Sequence, residues 1–201
     1  MKRRKSAMNY IAGAIFALLA VYLLVTVVTN LSMPVSRFMA LPSFVAALSH
    51  ALIAVGLFTA IYPLVAAGAG VGILHAIVYV VAYTINYSDS MGLAFEDALV
   101  YFLLPMAISQ IFPVLYHVFL MLAGFLKKAA LPMCIVAAVI LFLSTVLSVV
   151  SFLAGSGYIA WLSTIITLIR IVATVLAGIA MGKRAPDVYQ NPYTNVYPNM
   201  Y

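Results

Sequence analysis

Apolar residues run along this chain in long stretches free of Lys, Arg, Asp and Glu, so the charged and turn residues between them set the elements. A helix needs about 20 apolar residues to cross the ~30 Å hydrocarbon layer of a bilayer. Tyr10 to Thr29 supplies one such helix. The stretch from Phe38 to Ser88 holds no charged residue over 51 residues, too long for one crossing. Its turn signal, Ala66-Ala67-Gly68-Ala69-Gly70, divides it into spans at 41–64 and 69–86. Residues 98–126 read as one long span, kinked by Pro105 and Pro113 and accommodated by tilt. Gly155-Ser156-Gly157-Tyr158 then separates spans at 130–153 and 159–182. The expected fold is an all-α polytopic membrane helix bundle of about six transmembrane helices over residues 1–184, followed by a tail at 185–201.

Composition supports lipid as the solvent. Residues are 67% hydrophobic and 7% charged, against roughly 25% charged in a soluble globule. The net charge of +6 does not point to nucleic acid, because eight of the ten basic residues sit in three clusters flanking apolar runs: Lys2 to Lys5, Lys127 with Lys128, and Lys183 with Arg184. The first apolar run is longer than the usual signal-peptide core, and no small-residue cleavage site follows it, so it is expected to stay in the chain. Six spans starting in the cytoplasm put all three clusters and both termini on the cytoplasmic side of the cell membrane. Asp89, Glu96 and Asp97 then lie outside, with Arg37 the one external basic residue. Reading 38–88 as a single crossing would send Lys127, Lys128, Lys183 and Arg184 outside.

The even-numbered spans end alike, at Ala54-Val55-Gly56-Leu57-Phe58, Leu122-Ala123-Gly124-Phe125-Leu126 and Leu176-Ala177-Gly178-Ile179-Ala180. Three tandem helical hairpins with unequal loops would give this pattern, as would the abundance of Leu, Ala and Gly in membrane helices. Gly68-x-x-x-Gly72 and Gly178-x-x-x-Gly182 have the spacing that lets helices approach closely. Cys134, the lone cysteine, reads as a small buried hydrophobe.

Candidate chemistry lies at membrane depth. Arg170 stands 12 residues after Tyr158 and 13 before Lys183, which places it near the bilayer centre. A central Arg costs roughly 2.5–3.5 kcal/mol on insertion, so it faces protein or water. His50, Gln110 and His117 fall at similar depth, and His75 nearer the cytoplasmic end of its span. The four residues Arg170, His50, Gln110 and His117 form the expected ligand site. With no acid at that depth, Arg170 calls for an anionic or carbonyl-bearing ligand, or a partner chain carrying the acid. The competing reading makes Arg170 a structural anchor bonded to carbonyls and Gln110, and each His an interhelical bridge. No metal site or cofactor is expected from three histidines without carboxylate or thiolate companions.

Motifs for membrane enzymes, such as HExxH, GxSxG or paired intramembrane carboxylates, do not occur, so a non-catalytic protein is expected. The tail repeats Tyr-x-Asn-x at Tyr189, Asn191, Tyr193, Asn195, Tyr197 and Asn199. Its prolines disfavour a helix, and disorder is expected. The spacing resembles the phosphotyrosine motif read by adaptor-type SH2 domains, so these six residues are candidates for partner docking. Two functions follow: a small-molecule-binding transport component or sensor, or an accessory scaffold that recruits a protein partner through its helices or tail.

Overall fold

The computed structural model describes residues 6–153 and 161–183. These residues are helical throughout apart from short connections, and six of the helical stretches are long and apolar enough to cross a membrane. Helix α1 covers Ala7–Ser32, and after a 3-10 turn at Pro34–Met39 come α2 (Ala40–Thr59) and α3 (Tyr62–Met91). The fourth span is composite: α4 (Phe95–Ala98), a π-helical segment (Leu99–Leu103), α5 (Leu104–Ser109) and α6 (Ile111–Phe125). Helices α7 (Ala130–Leu153) and α8 (Trp161–Gly182) complete the bundle.

Short connections force successive spans to run antiparallel, and the packing closes them into a ring. Each of α1, α2, α3, α6, α7 and α8 packs on the next, and α8 returns to α1. One end of the ring carries Lys127, Lys128 and Lys183; the other carries Arg37, Asp89, Glu96 and Asp97. Arg37 and Asp89 make a 3.9 Å ion pair with both side chains about 60% exposed, too open to contribute much stability.

The ring is tight at the basic end and loose at the acidic end. Phe16, Leu57, Val65, Leu120, Ala177 and Met181 pack there with almost no exposure. A polar network tightens it further. Asn9 donates through Nδ2 to the Leu57 carbonyl at 3.0 Å and to Tyr62 Oη at 3.1 Å, and Tyr62 donates to the Ala180 carbonyl at 3.3 Å. Four helices are thus joined by side chains whose polar atoms are paired, as burial in a dry interior demands. Toward the acidic end, burial on α7 stops at Leu141, and on α8 it begins only at Ala173. Most apolar side chains beyond those points are exposed, as lipid allows, although Ile166 and Ile171 still pack against the core.

The boundary between the second and third spans departs most from the sequence expectation. The turn between the second and third spans falls at Ala60 and Ile61 rather than at 66–70. Ala60 adopts a left-handed conformation (φ 57°), the Ile61 amide caps the Gly56 carbonyl at 3.0 Å, and Pro63 begins the next helix. The glycines of 68–72 remain inside α3, where Gly68 and Gly72 admit neighbours and Gly70 faces open space. A β-carbon at Gly68 would come within 2.8 Å of the Ser49 carbonyl on α2. The third span therefore starts seven residues earlier than expected, at Tyr62 instead of 69. His75 consequently lies mid-helix and not near the cytoplasmic end.

The fourth span is broken, where only kinks were expected. Proline supplies no amide hydrogen to the carbonyl four residues back, so Pro105 disturbs the turn at Tyr101, inside the π segment, and Pro113 frees the Ser109 carbonyl. Helix α5 ends at Ser109, and Gln110 forms the joint before α6. The expected break at Gly155–Tyr158 lies outside the described residues.

The glycines of the three similar span ends do not share one packing partner. Gly56 and Gly124 both lie against the start of α3, at Leu64 with Val65 and at Tyr62 with Ala66, whereas Gly178 lies against Leu131 and Cys134 of α7. Cys134 is fully buried in that seat.

Candidate functional site

Above the tight basic end, the ring surrounds a partly open cavity of about 250 Å³, and Arg170, His50, Gln110 and His117 all line it. Helix α2 contributes His50 with Ser49, α3 contributes Gly72, His75 and Tyr79, and the joint between α5 and α6 contributes Gln110. Sites at breaks in membrane helices are common because unwound backbone is tolerated only where it faces protein or a cavity.

His50 is 3% exposed, and its Nδ1 stands 2.7 Å from the Ala46 carbonyl. A carbonyl accepts only, so Nδ1 carries the hydrogen and Nε2 of the neutral ring is an acceptor. That Nε2 is buried and meets no hydrogen-bond partner among the described residues. His117 is held the same way, its Nδ1 2.8 Å from the Pro113 carbonyl. The His117 ring rests edge-on to Tyr116 at 4.7 Å and fills the notch left by Gly72.

Arg170 is anchored by its backbone. Thr174 Oγ1 donates to the Arg170 carbonyl at 2.8 Å, and the Tyr116 hydroxyl meets Thr174 Oγ1 at 3.2 Å. The guanidinium Nε is buried and meets no acceptor among the described residues. The anchor reading expects Arg170 to donate to Gln110, yet Arg170 Nε does not meet Gln110 Oε1; Gln110 Nε2 donates to Ser109 Oγ at 3.2 Å. Among the described residues, no acidic side chain lines the cavity. Arg170 and His50 thus border one space, and each keeps a buried ring or guanidinium nitrogen without a partner among the described residues, which is costly unless something fills it.

His50, His75 and His117 border the same space, yet among the described residues no three metal-ligating side chains come together. The docking candidates of the tail, from Tyr189 to Asn199, lie outside the described residues.

One feature of this region escaped the sequence reading. His75, Tyr79, Tyr83 and Tyr87 recur every four residues along α3, with ring centroids 5.9, 5.9 and 4.7 Å apart. Phe102 of the π segment extends the row at 4.8 Å from Tyr87. The stripe runs from the cavity wall toward the acidic end. Its fourfold spacing is visible in the sequence, where it merges with the general abundance of apolar residues.

Comparison with known proteins finds no match: no family model, no curated protein and no solved structure shows significant similarity to this chain.

Proposed function

We propose that this chain is a non-catalytic membrane protein that holds a small anionic or carbonyl-bearing molecule among its helices, as a transport component or a sensor. The observation that carries this reading is the buried Nε of Arg170, which among the described residues has no acceptor, on a residue that lines a cavity with no described acid in its wall. A permanently charged group at this depth needs a counter-charge or strong acceptors. The tight basic end closes the cavity on that side, so the ligand enters from the acidic end or between the splayed helices. By the positive-inside rule, we place the basic end and both termini in the cytoplasm and the acidic end outside the cell membrane.

The test is binding by purified protein in lipid nanodiscs, read as thermal stabilisation and by calorimetry. The panel is benzoate, the three hydroxybenzoates, succinate and inorganic phosphate. Saturable binding of any member that disappears in a folded Arg170→Leu variant supports the reading. If no member binds, or if binding survives the substitution, the accessory-scaffold reading replaces it: Arg170 would then meet the acid of a partner helix.

A further inference from the structure

We propose that the ligand is a single flat ring carrying both an anionic oxygen and a hydrogen-bond donor, of the hydroxy-substituted aromatic carboxylate class. This rests on the ligand-binding reading above and narrows it through three independent observations.

The first is the pairing of unsatisfied atoms. Arg170 Nε is a donor and calls for an acceptor, and its charge favours an anionic one. His50 Nε2 is an acceptor, because Nδ1 is committed to the Ala46 carbonyl, and it calls for an O–H or N–H. An anion without an O–H or N–H answers the first and leaves the second bare, whereas one molecule carrying both functions answers both.

The second is size. A space of about 250 Å³ falls below the roughly 300 Å³ at which pockets for drug-sized molecules begin, so it admits one ring with small substituents.

The third is the shape of the walls. Three imidazoles and the Tyr79 phenol border the cavity. The Tyr79 and Tyr83 rings incline by only 29°, and Tyr83 and Tyr87 by 28°, so the three phenols stack on one another and continue this aromatic wall toward the acidic end. Aromatic faces take up another flat ring by offset or edge contact more readily than a puckered one.

Calorimetry on the nanodisc-embedded full chain tests this with matched probes: the three hydroxybenzoates, benzoate, 4-hydroxybenzamide and 4-hydroxycyclohexanecarboxylate. The best hydroxybenzoate is expected to bind at least tenfold tighter than benzoate, which lacks the donor. The same margin is expected over the uncharged amide and the puckered acid. His50→Phe should reduce the ratio of hydroxybenzoate to benzoate affinity to near one. Equal binding of benzoate overturns the donor requirement, and equal binding of the puckered acid overturns the flat ring. If succinate or phosphate binds in an Arg170-dependent way and no aromatic acid does, the inference fails and the ligand-binding reading stands. If nothing in either set binds, both fall.

Discussion

The ring of His117 occupies the place where residue 72 would carry its β-carbon, so the seam between α3 and α6 closes only because that residue is glycine. The contact joins fold and site. The hydrogen bond from Nδ1 to the Pro113 carbonyl fixes the ring from its own helix, and Gly72 provides its seat on the other.

Gly72→Ala is therefore expected to destabilise the protein by about 1–3 kcal/mol, the usual cost of forcing extra volume into a packed contact. Adding His117→Ala to Gly72→Ala should recover most of the loss, since the clash needs both groups. Thermal unfolding of the two single variants and the double variant in detergent measures this. A Gly72→Ala protein that melts with the parent would mean that the ring is not seated against α3.

Much of this architecture is legible in the residues. Apolar runs longer than a bilayer crossing give six spans, and the depth of Arg170, His50, Gln110 and His117 anticipates that they share a level of the bundle. Glycine was the misleading signal. The cluster at 68–72 reads as a turn by composition, yet the chain turns at Ala60, where Pro63 starts a helix and a non-glycine residue takes the left-handed conformation. In a membrane helix glycine more often marks a close approach than a break, and only the three-dimensional neighbours tell the two apart. The commitment of His50 Nδ1 to Ala46, and with it the bare Nε2, lies equally beyond the sequence, because it depends on a rotamer.

Asn9 and Tyr62 offer a second test of the packing. Nothing in the composition marks Asn9, yet it is 1% exposed and bonds to both Leu57 and Tyr62. Asn9→Ala and Tyr62→Phe should each lower stability by about 0.5–1.5 kcal/mol, and the double variant by clearly less than their sum. A double-mutant cycle from unfolding in detergent gives the coupling. Strict additivity would show that the two side chains act independently.

The orientation of the ring is open to direct labelling. On a background with Cys134→Ala, which keeps a small residue beside Gly178, an impermeant thiol reagent should modify Ser90→Cys on intact cells. It should reach Lys128→Cys or Asn191→Cys only after the membrane is opened. Labelling of Lys128→Cys from outside would invert the topology and the assigned side of ligand entry.

Arg170 separates the functional readings by the size and kind of its effect. A cation near mid-membrane without an acid beside it is held by carbonyls, water or a ligand, and replacing it with Leu removes both the insertion cost and the hydrogen bonds. Arg170→Leu should therefore change stability in detergent by about 1–2 kcal/mol or less. Arg170→Glu should do far worse, because no described Lys or other Arg lines the cavity to receive the new charge, and a neighbouring imidazole would have to take up a proton in a buried place to pair with it. Unfolding midpoints of the two variants rank them, and the anion panel read on the same Arg170→Leu sample decides what the group does. A binding protein loses its ligand while the fold persists. A structural anchor leaves panel binding as it is in the parent, and a fold that fails equally with Leu and Glu would show that the guanidinium itself holds the helices together.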